Sequence, residues 1–481
     1  MLKSFYWHDY ETFGADPVRD RPSQFAGIRT DKDLNIIEEP LVIYCRPSDD
    51  YVPSPEACMI TGITPQKAQE EGLCESEFIG QINEAFSQPG TCAVGYNNLR
   101  FDDEVTRHTL YRNLRDPYAR EWQNGNSRWD LIDVVRLTYA LRPEGIEWPR
   151  KEDGSPSFRL EELTQANGLE HGQAHDAMSD VHATIALARL IREKQPRLFE
   201  YALSHRDKRS VAAMLDVDSM KPVFHVSSRY PASQGCCAMV APLAWHPVNR
   251  NAVIVYDLRV DPSRLLSMSA DAIRERLYTK TEDLAEGEER IPLKAIHINK
   301  CPVLAPAAML KTLSSEKLDS LALDGDLLRE NLQQLRTADG LGEKIREVFS
   351  DAGPEGSSDP DEMLYGGGFL SPQDRKQLDF VLQQPPEMLG ELDLRFQDER
   401  LEEMLFRYRA RNYPGTLTGE EQERWEAFRQ QRLLKPSPPW LSLPAYFKKL
   451  ETLAQDENVV AKHQGLLQDL QFYGESLIPY V

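Results

Sequence analysis

An α/β unit, followed by a mixed β-rich segment and then a mostly helical one, is the architecture the sequence predicts. Three observations predict it. Short apolar runs of β character alternate with helical periodicity over the first 195 residues. Residues 200–350 carry β-rich runs separated by Gly, Pro and Asn. Beyond Asp351–Glu362 (DAGPEGSSDPDE), whose composition fits a linker or exposed loop, the apolar spacing is helical almost to the end. The expected divisions are 1–195, 196–350 and 351–481. At 481 residues the chain is long enough for roughly two to four domains.

In the first segment the β-like runs are Phe5–Trp7, Ile36-Ile37, Leu41–Tyr44 and Cys92–Tyr96. Helical patterns cover Glu104–Arg115, Leu131–Leu141, Leu160–Asn167 and Val181–Arg192. In the second, Pro222–Val226, Cys237–Val240 and Ala252–Leu258 read as strands, with helices near Ala270–Leu277 and Leu321–Leu335. In the third, helices are expected at Pro372–Gln384, Leu401–Tyr408, Gly419–Leu433 and Tyr446–Gln471.

Bulk properties narrow the class. No stretch of about 20 apolar residues occurs, so no membrane span is expected. The N-terminus shows no basic segment followed by an apolar one, and no signal peptide is expected. Seven scattered cysteines without a Cys-x-x-Cys pair speak against zinc and disulfide frameworks. A reducing, cytoplasmic setting fits. The net charge of −21 is unfavourable for a phosphate binder. It is uneven, however: about −12 in residues 1–200, about 0 in 201–350 and about −9 in 351–481.

The chemistry begins at His8-Asp9-Tyr10-Glu11-Thr12. On a strand, Asp9 and Glu11 point to one face. Two carboxylates so placed repel unless a cation lies between them, and oxygen ligands suit Mg²⁺ or Mn²⁺. An exposed acidic strand edge would read the same way. Three further pieces change the balance. Gly95–Glu104 runs from a strand through an Asn-rich turn to a helix start, where Asp102 could face a metal or simply stabilise the helix. His175 and Asp180 stand in a His-x4-Asp spacing before an apolar helix. Arg159 precedes a helix that Gly168 stops, and could hold a phosphate bidentately or be a surface residue.

Asp9, Glu11, Asp102, His175 and Asp180 together resemble, in order and spacing, the DEDDh (DnaQ-like) 3′–5′ exonucleases. Longer phrases such as HDYETFGADP, GYNNLRFDDEVTRH, SRWDLIDVVR, AHDAMSDVHATIA and RYRARNYPGTL are similar to the bacterial exodeoxyribonuclease I family, from Phe5 to about Trp425. The last ~50 residues look less familiar. The resemblance implies a ribonuclease H-like exonuclease domain, an SH3-like barrel with added helices and a C-terminal helical domain, in a C-shaped arrangement. It implies processive 3′–5′ degradation of single-stranded DNA to nucleoside 5′-monophosphates, in DNA repair and recombination. Two Mg²⁺ ions, replaceable by Mn²⁺, would be held by Asp9, Glu11, Asp102 and Asp180, and His175 would be the general base. Glu11 and Thr12 would also touch the substrate.

Bases and aromatics interleave from Arg107 to Arg136, the usual composition of a single-strand path and also of an ordinary helical surface. Arg107, Tyr118, Trp122 and Arg136 are the expected contacts, with Arg159 nearer the reacting end. Gly366-Gly367-Gly368 and the run Arg407-Tyr408-Arg409-Ala410-Arg411 are further candidates. The resemblance also implies docking of the C-terminal tail of single-stranded DNA-binding protein, with Arg142 and Tyr201 in that pocket. A monomer is the expected state. Two other readings share the sequence: an RNA-trimming or proofreading exonuclease with the same metal core, and a catalytically silent DNA-binding scaffold.

Overall fold

Strand β1 (Ser4–Thr12) is the one on which the first sheet is built. It pairs antiparallel with β2 (Pro22–Thr30) and parallel with β4 (Thr91–Gly95), while β2 also carries β3 (Leu41–Tyr44) antiparallel. The sheet is therefore mixed, and β1 lies inside it. Alternation along β1 sends Tyr6 and Tyr10 into a core with Phe25, Phe78, Ile82 and Phe86. Asp9 and Glu11 take the other face, opposite Ala26 and Gln24 of β2 in register.

The computed structural model describes residues 2–169, 176–285, 287–350 and 356–479. Most expected elements are present with shifted ends: Asp102–Arg112, Leu131–Leu141, Leu160–Ala166 and Ala177–Lys194 are helices. Strand β2 and the helices Pro55–Thr61, Pro65–Glu71 and Glu75–Ser87 were not anticipated. All nine residues of β2 are buried, polar ones included, so it lacks the alternation that marks a half-exposed strand. Ile36-Ile37 is not a strand. Only an isolated bridge joins Ile36 to Thr30, and both isoleucines are exposed.

In space the chain falls into two compact units. The first comprises Met1–Ser127, Gly172–His182 and Glu355–Val481; the second comprises Arg128–His171 and Ala183–Pro354. In the first unit the C-terminal helices share cores with the N-terminal segment. Phe13, Tyr51, Cys58 and Ile63 pack with Leu443, Tyr446, Leu470 and Tyr473. Tyr111 and Leu114 pack with Leu378, Leu401 and Met404. The expected helix Tyr446–Gln471 is two helices, Leu443–Leu453 and Glu457–Ser476, the second capped by Asp456.

In the second unit, β5 (Ser127–Asp130) leads into the helix Leu131–Leu141, with Asp130 capping Ile132. An antiparallel sheet follows, built from β6 (Val223–Val226), β7 (Cys237–Trp245), β8 (Ala252–Asp257), β9 (Leu293–His297) and β10 (Leu304–Pro306). Its order is β10-β6-β7-β8-β9, and Val223, Val240, Val253, Val255 and Ile296 form its core.

The acidic stretch 351–362 is only partly an exposed loop. Residues 351–355 lie outside the described residues, but Asp361 is buried. Arg411 donates to Asp361 at 2.7 Å and to Asp50 at 2.9 Å, and Arg407 donates to Asp361 at 3.0 Å and Asp359 at 2.6 Å. Burial pulls the Asp361 carboxyl up, but Arg411 and Arg407 hold it well below the ordinary carboxylate range. Asp361→Ala leaves a buried guanidinium short of a partner, so it should cost about 3–5 kcal/mol. The urea midpoint of the full chain measures this, and a midpoint equal to the parent's would show that the network carries no weight.

Candidate active site

Three elements deliver the four acids. The first is the second half of β1, with Asp9 and Glu11. The second is the turn after β4. Gly95 passes so close to β1 that an added Cβ would meet the His8 carbonyl oxygen at 2.9 Å, and Asn97 takes φ 69°. The Asn98 carbonyl accepts the Asp103 N–H at 2.9 Å, which starts the helix with Asp102, Asp103 and Glu104 in its first turn. The third is the helix Ala177–Lys194, whose first turn holds Asp180. Asp176 accepts hydrogen bonds from the Ser179 N–H at 3.1 Å and its hydroxyl at 3.0 Å, which caps this helix.

One carboxylate oxygen from each of Asp9, Glu11 and Asp180 lies within 4.8 Å of the others. Asp102 is buried beside them, and its Oδ1 accepts the Tyr10 N–H at 3.1 Å. Burial, then Asp102, Glu11 and Asp180, push the Asp9 carboxyl well above its usual range. Burial, then Asp180 and Asp102, push Glu11 up to about 8. Desolvated carboxylates that repel one another this strongly form a donor set for a hard divalent cation. The residues fit such an ion. Asp176 also acts on Asp9 and Glu11, and the sequence reading passed over it. Its only signal was its place four residues before Asp180.

The remaining expected residues are placed unequally. His175 lies outside the described residues. Thr12 is buried and its hydroxyl donates to the Gly14 carbonyl at 2.6 Å. Arg107 is buried; its guanidinium donates to Glu121 at 2.7 and 2.9 Å, to Glu104 at 2.8 Å and to the Tyr365 hydroxyl at 3.0 Å. Tyr118 is half-buried under that guanidinium. Trp122 is 66% exposed. In the second unit Arg136 is buried and bonded to Asp133 at 2.6 Å, whereas the Arg159 side chain is 71% exposed. Arg142 donates to the Thr312 hydroxyl at 2.8 Å and lines a cavity of about 1030 Å³ with Tyr139, Trp148, Arg150 and Lys317. The Tyr201 hydroxyl donates to the Leu304 carbonyl at 3.0 Å.

Of the two further candidates, the glycine run leaves Gly366 and Gly368 exposed. Arg407, Arg409 and Arg411 are turned inward onto carboxylates, Arg409 onto Glu421 at 2.5 Å. At Gly367 an added Cβ would fall 1.5 Å from the Arg400 guanidinium, so this glycine makes room for an arginine. Among the described residues no helix is long and apolar enough to cross a membrane.

Comparison with known proteins bears on the whole chain. A family model for exonucleases matches residues 6–188, one for the exonuclease I SH3-like domain 206–351, and one for the exonuclease I C-terminal domain 358–477. Exodeoxyribonuclease I of Escherichia coli strain K12 is 50% identical, over 99% of this chain and 98% of its own. Exonuclease I from Methylocaldum szegediense is 52% identical with a TM-score of 0.94, over 99% of this chain and 100% of that one. The E. coli exonuclease I complexed with a dA16 oligonucleotide is 50% identical with a TM-score of 0.93, at the same coverage. A zinc-bound form of the E. coli protein with single-stranded DNA and an ExoI/SSB-Ct complex are 49% and 48% identical, with TM-scores of 0.93 and 0.92, at that coverage too. The likeness therefore extends through the last 50 residues, which had looked unfamiliar.

The raised Glu11 pKa has a thermodynamic consequence. Between 4.5, its ordinary value, and about 8 the metal-free folded chain binds more protons than the unfolded one, so metal-free stability falls as pH rises through that window. In EDTA, Glu11→Gln should melt with the parent near pH 4.5 and a few degrees above it near pH 8.5. A difference in melting temperature that is the same at both pH values would show that Glu11 is not the source.

Proposed function

The chain belongs to the exodeoxyribonuclease I family, and from this we infer that its carboxylate site hydrolyses single-stranded DNA processively from the 3′ end, releasing nucleoside 5′-monophosphates in DNA repair and recombination. The observation that carries the reading is the convergence of Asp9, Glu11 and Asp180, with Asp102 beside them. This is a divalent-metal enzyme by family. We assign it two Mg²⁺ ions, with Mn²⁺ able to replace them, held by Asp9, Glu11, Asp102 and Asp180. Bound there, they supply charge for ionising the attacking water and for stabilising the reacting phosphate.

The chain's own groups do the rest. His175 takes the proton of the attacking water, for which an imidazole near its ordinary pKa is suited at neutral pH. Glu11 and Thr12 border the terminal nucleotide. Trp122 offers an exposed stacking face and Arg159 an exposed cation for the strand. Tyr118 adds a half-buried ring. Arg107 meets DNA by exchanging a carboxylate for a phosphate, because its guanidinium is bonded to Glu121 and Glu104, whereas Arg136 is bonded to Asp133 through Nη1 alone. The partners are single-stranded DNA and the C-terminal tail of single-stranded DNA-binding protein. We place that tail at Arg142 and Tyr201; the cavity that Arg142 lines also holds Arg150 and Lys317, together with Glu144, Asp153 and Glu316. The protein acts as a monomer in the cytoplasm.

End-labelled single-stranded DNA, duplex DNA and RNA, each with Mg²⁺ and with EDTA, test the reading. Only single-stranded DNA with Mg²⁺ should be degraded rapidly. Asp180→Ala should lose about 10³-fold or more in kcat. Degradation in EDTA, or parental rates in Asp180→Ala, would sink the metal assignment; equal rates on RNA would overturn the substrate. His175→Ala should lose about 10²–10⁴-fold in kcat while DNA binding is retained, and unchanged turnover would remove it as the base.

A further inference from the structure

Tyr10 stands between Asp9 and Glu11 on β1, so its side chain leaves the sheet on the face opposite theirs. Its ring packs against Phe25 at 4.8 Å and Phe78 at 6.4 Å, a setting that a phenylalanine would fill equally well. The hydroxyl is therefore unexplained by packing, and burying it without a partner would be costly. It has one. The Tyr10 and Thr106 hydroxyls are hydrogen-bonded at 3.0 Å, and both residues are buried. Thr106 lies one turn beyond Asp102 on the same helix, and its hydroxyl donates to the Asp102 carbonyl at 2.8 Å. At its other end Tyr10 donates its own N–H to the Asp102 carboxylate at 3.1 Å. One residue thus grips Asp102 twice, at the carboxylate through the strand backbone and at the main chain through Thr106.

We propose that Tyr10 is a positioning residue, whose hydroxyl, hooked onto Thr106, sets the spacing between the Asp9/Glu11 pair and the Asp102 carboxylate. The inference rests on reading Asp102 as part of the metal site. β1 and the helix Asp102–Arg112 are separate elements, and the 3.1 Å amide contact links Tyr10 directly to the Asp102 carboxylate. The amide contact fixes the carboxylate, and the hydroxyl contact one turn along adds a second tie between strand and helix. The ring fills the core and the hydroxyl aligns the site, so the two roles separate in Tyr10→Phe.

The test uses the full chain and reads Mn²⁺ binding by electron paramagnetic resonance, kcat and KM on single-stranded DNA, and melting temperature. Tyr10→Phe should weaken Mn²⁺ binding about 10-fold and lower kcat by a similar factor, with KM for DNA within about 2-fold. Thr106→Val should do the same, Thr106→Ser should restore parental values, and the double variant Tyr10→Phe/Thr106→Val should be no worse than either alone. Mn²⁺ binding and kcat within about 2-fold of the parent in Tyr10→Phe, with only the melting temperature lowered, would reduce the hydroxyl to a packing role and overturn the proposal. Asp102→Asn is the control. If it weakens Mn²⁺ binding while Tyr10→Phe does not, the positioning role alone falls. If Asp102→Asn leaves Mn²⁺ binding unchanged, the reading of Asp102 falls, and the proposal with it.

Discussion

Mutual repulsion among crowded, buried and partly buried carboxylates is the constraint around which this chain is organised. Asp9, Glu11, Asp102 and Asp180 each raise the cost of ionising a neighbour, and burial raises it further. Such a cluster does not assemble by itself. It is held by elements stabilised elsewhere: a strand inside the sheet, a helix start locked by the Gly95–Asn98 turn, and a second helix start capped by Asp176. The site stores unfavourable electrostatics in the metal-free protein and releases it when cations bind, which ties metal affinity to the rigidity of those supports.

The remainder of the acidic surplus has a different use. In the first unit, arginines that look like a phosphate-binding set are consumed internally. Arg112 pairs with Glu75, Arg120 with Asp103, Arg407 with Asp359 and Asp361, and Arg411 with Asp50 and Asp361. Of these, Arg411 with Asp50 ties a C-terminal helix to the N-terminal segment, alongside their shared apolar cores. The net charge of −21 is a sum over the whole chain; ion pairs leave it unchanged, while part of the excess is gathered in the carboxylate cluster of Asp9, Glu11 and Asp180.

Residue periodicity carried a large part of the site. A strand's period of two put Asp9 and Glu11 on one face, and the His-x4-Asp spacing ahead of an apolar helix marked Asp180. Helices with a clear apolar stripe, such as Leu131–Leu141, were legible nearly to the residue. Fully buried β2 was not, since a strand covered on both faces has no alternation to read. The helices Pro55–Thr61 and Pro65–Glu71 were missed because each buries only a proline and one small residue, which leaves no apolar stripe to read.

The sequence by itself determined which chemistry is available: four carboxylates in the order and spacing of an exonuclease family, and a family resemblance that runs almost from end to end. Tertiary structure alone decided which charges are free. Arg107 and Arg159 are equivalent as letters, yet one is tied to two glutamates and the other lies open to solvent. Which acid meets which arginine depends on contacts between residues hundreds of positions apart, as with Asp50 and Arg411, and no local pattern encodes them. The same holds for Tyr10, whose hydroxyl acquires its partner only when strand and helix are brought together.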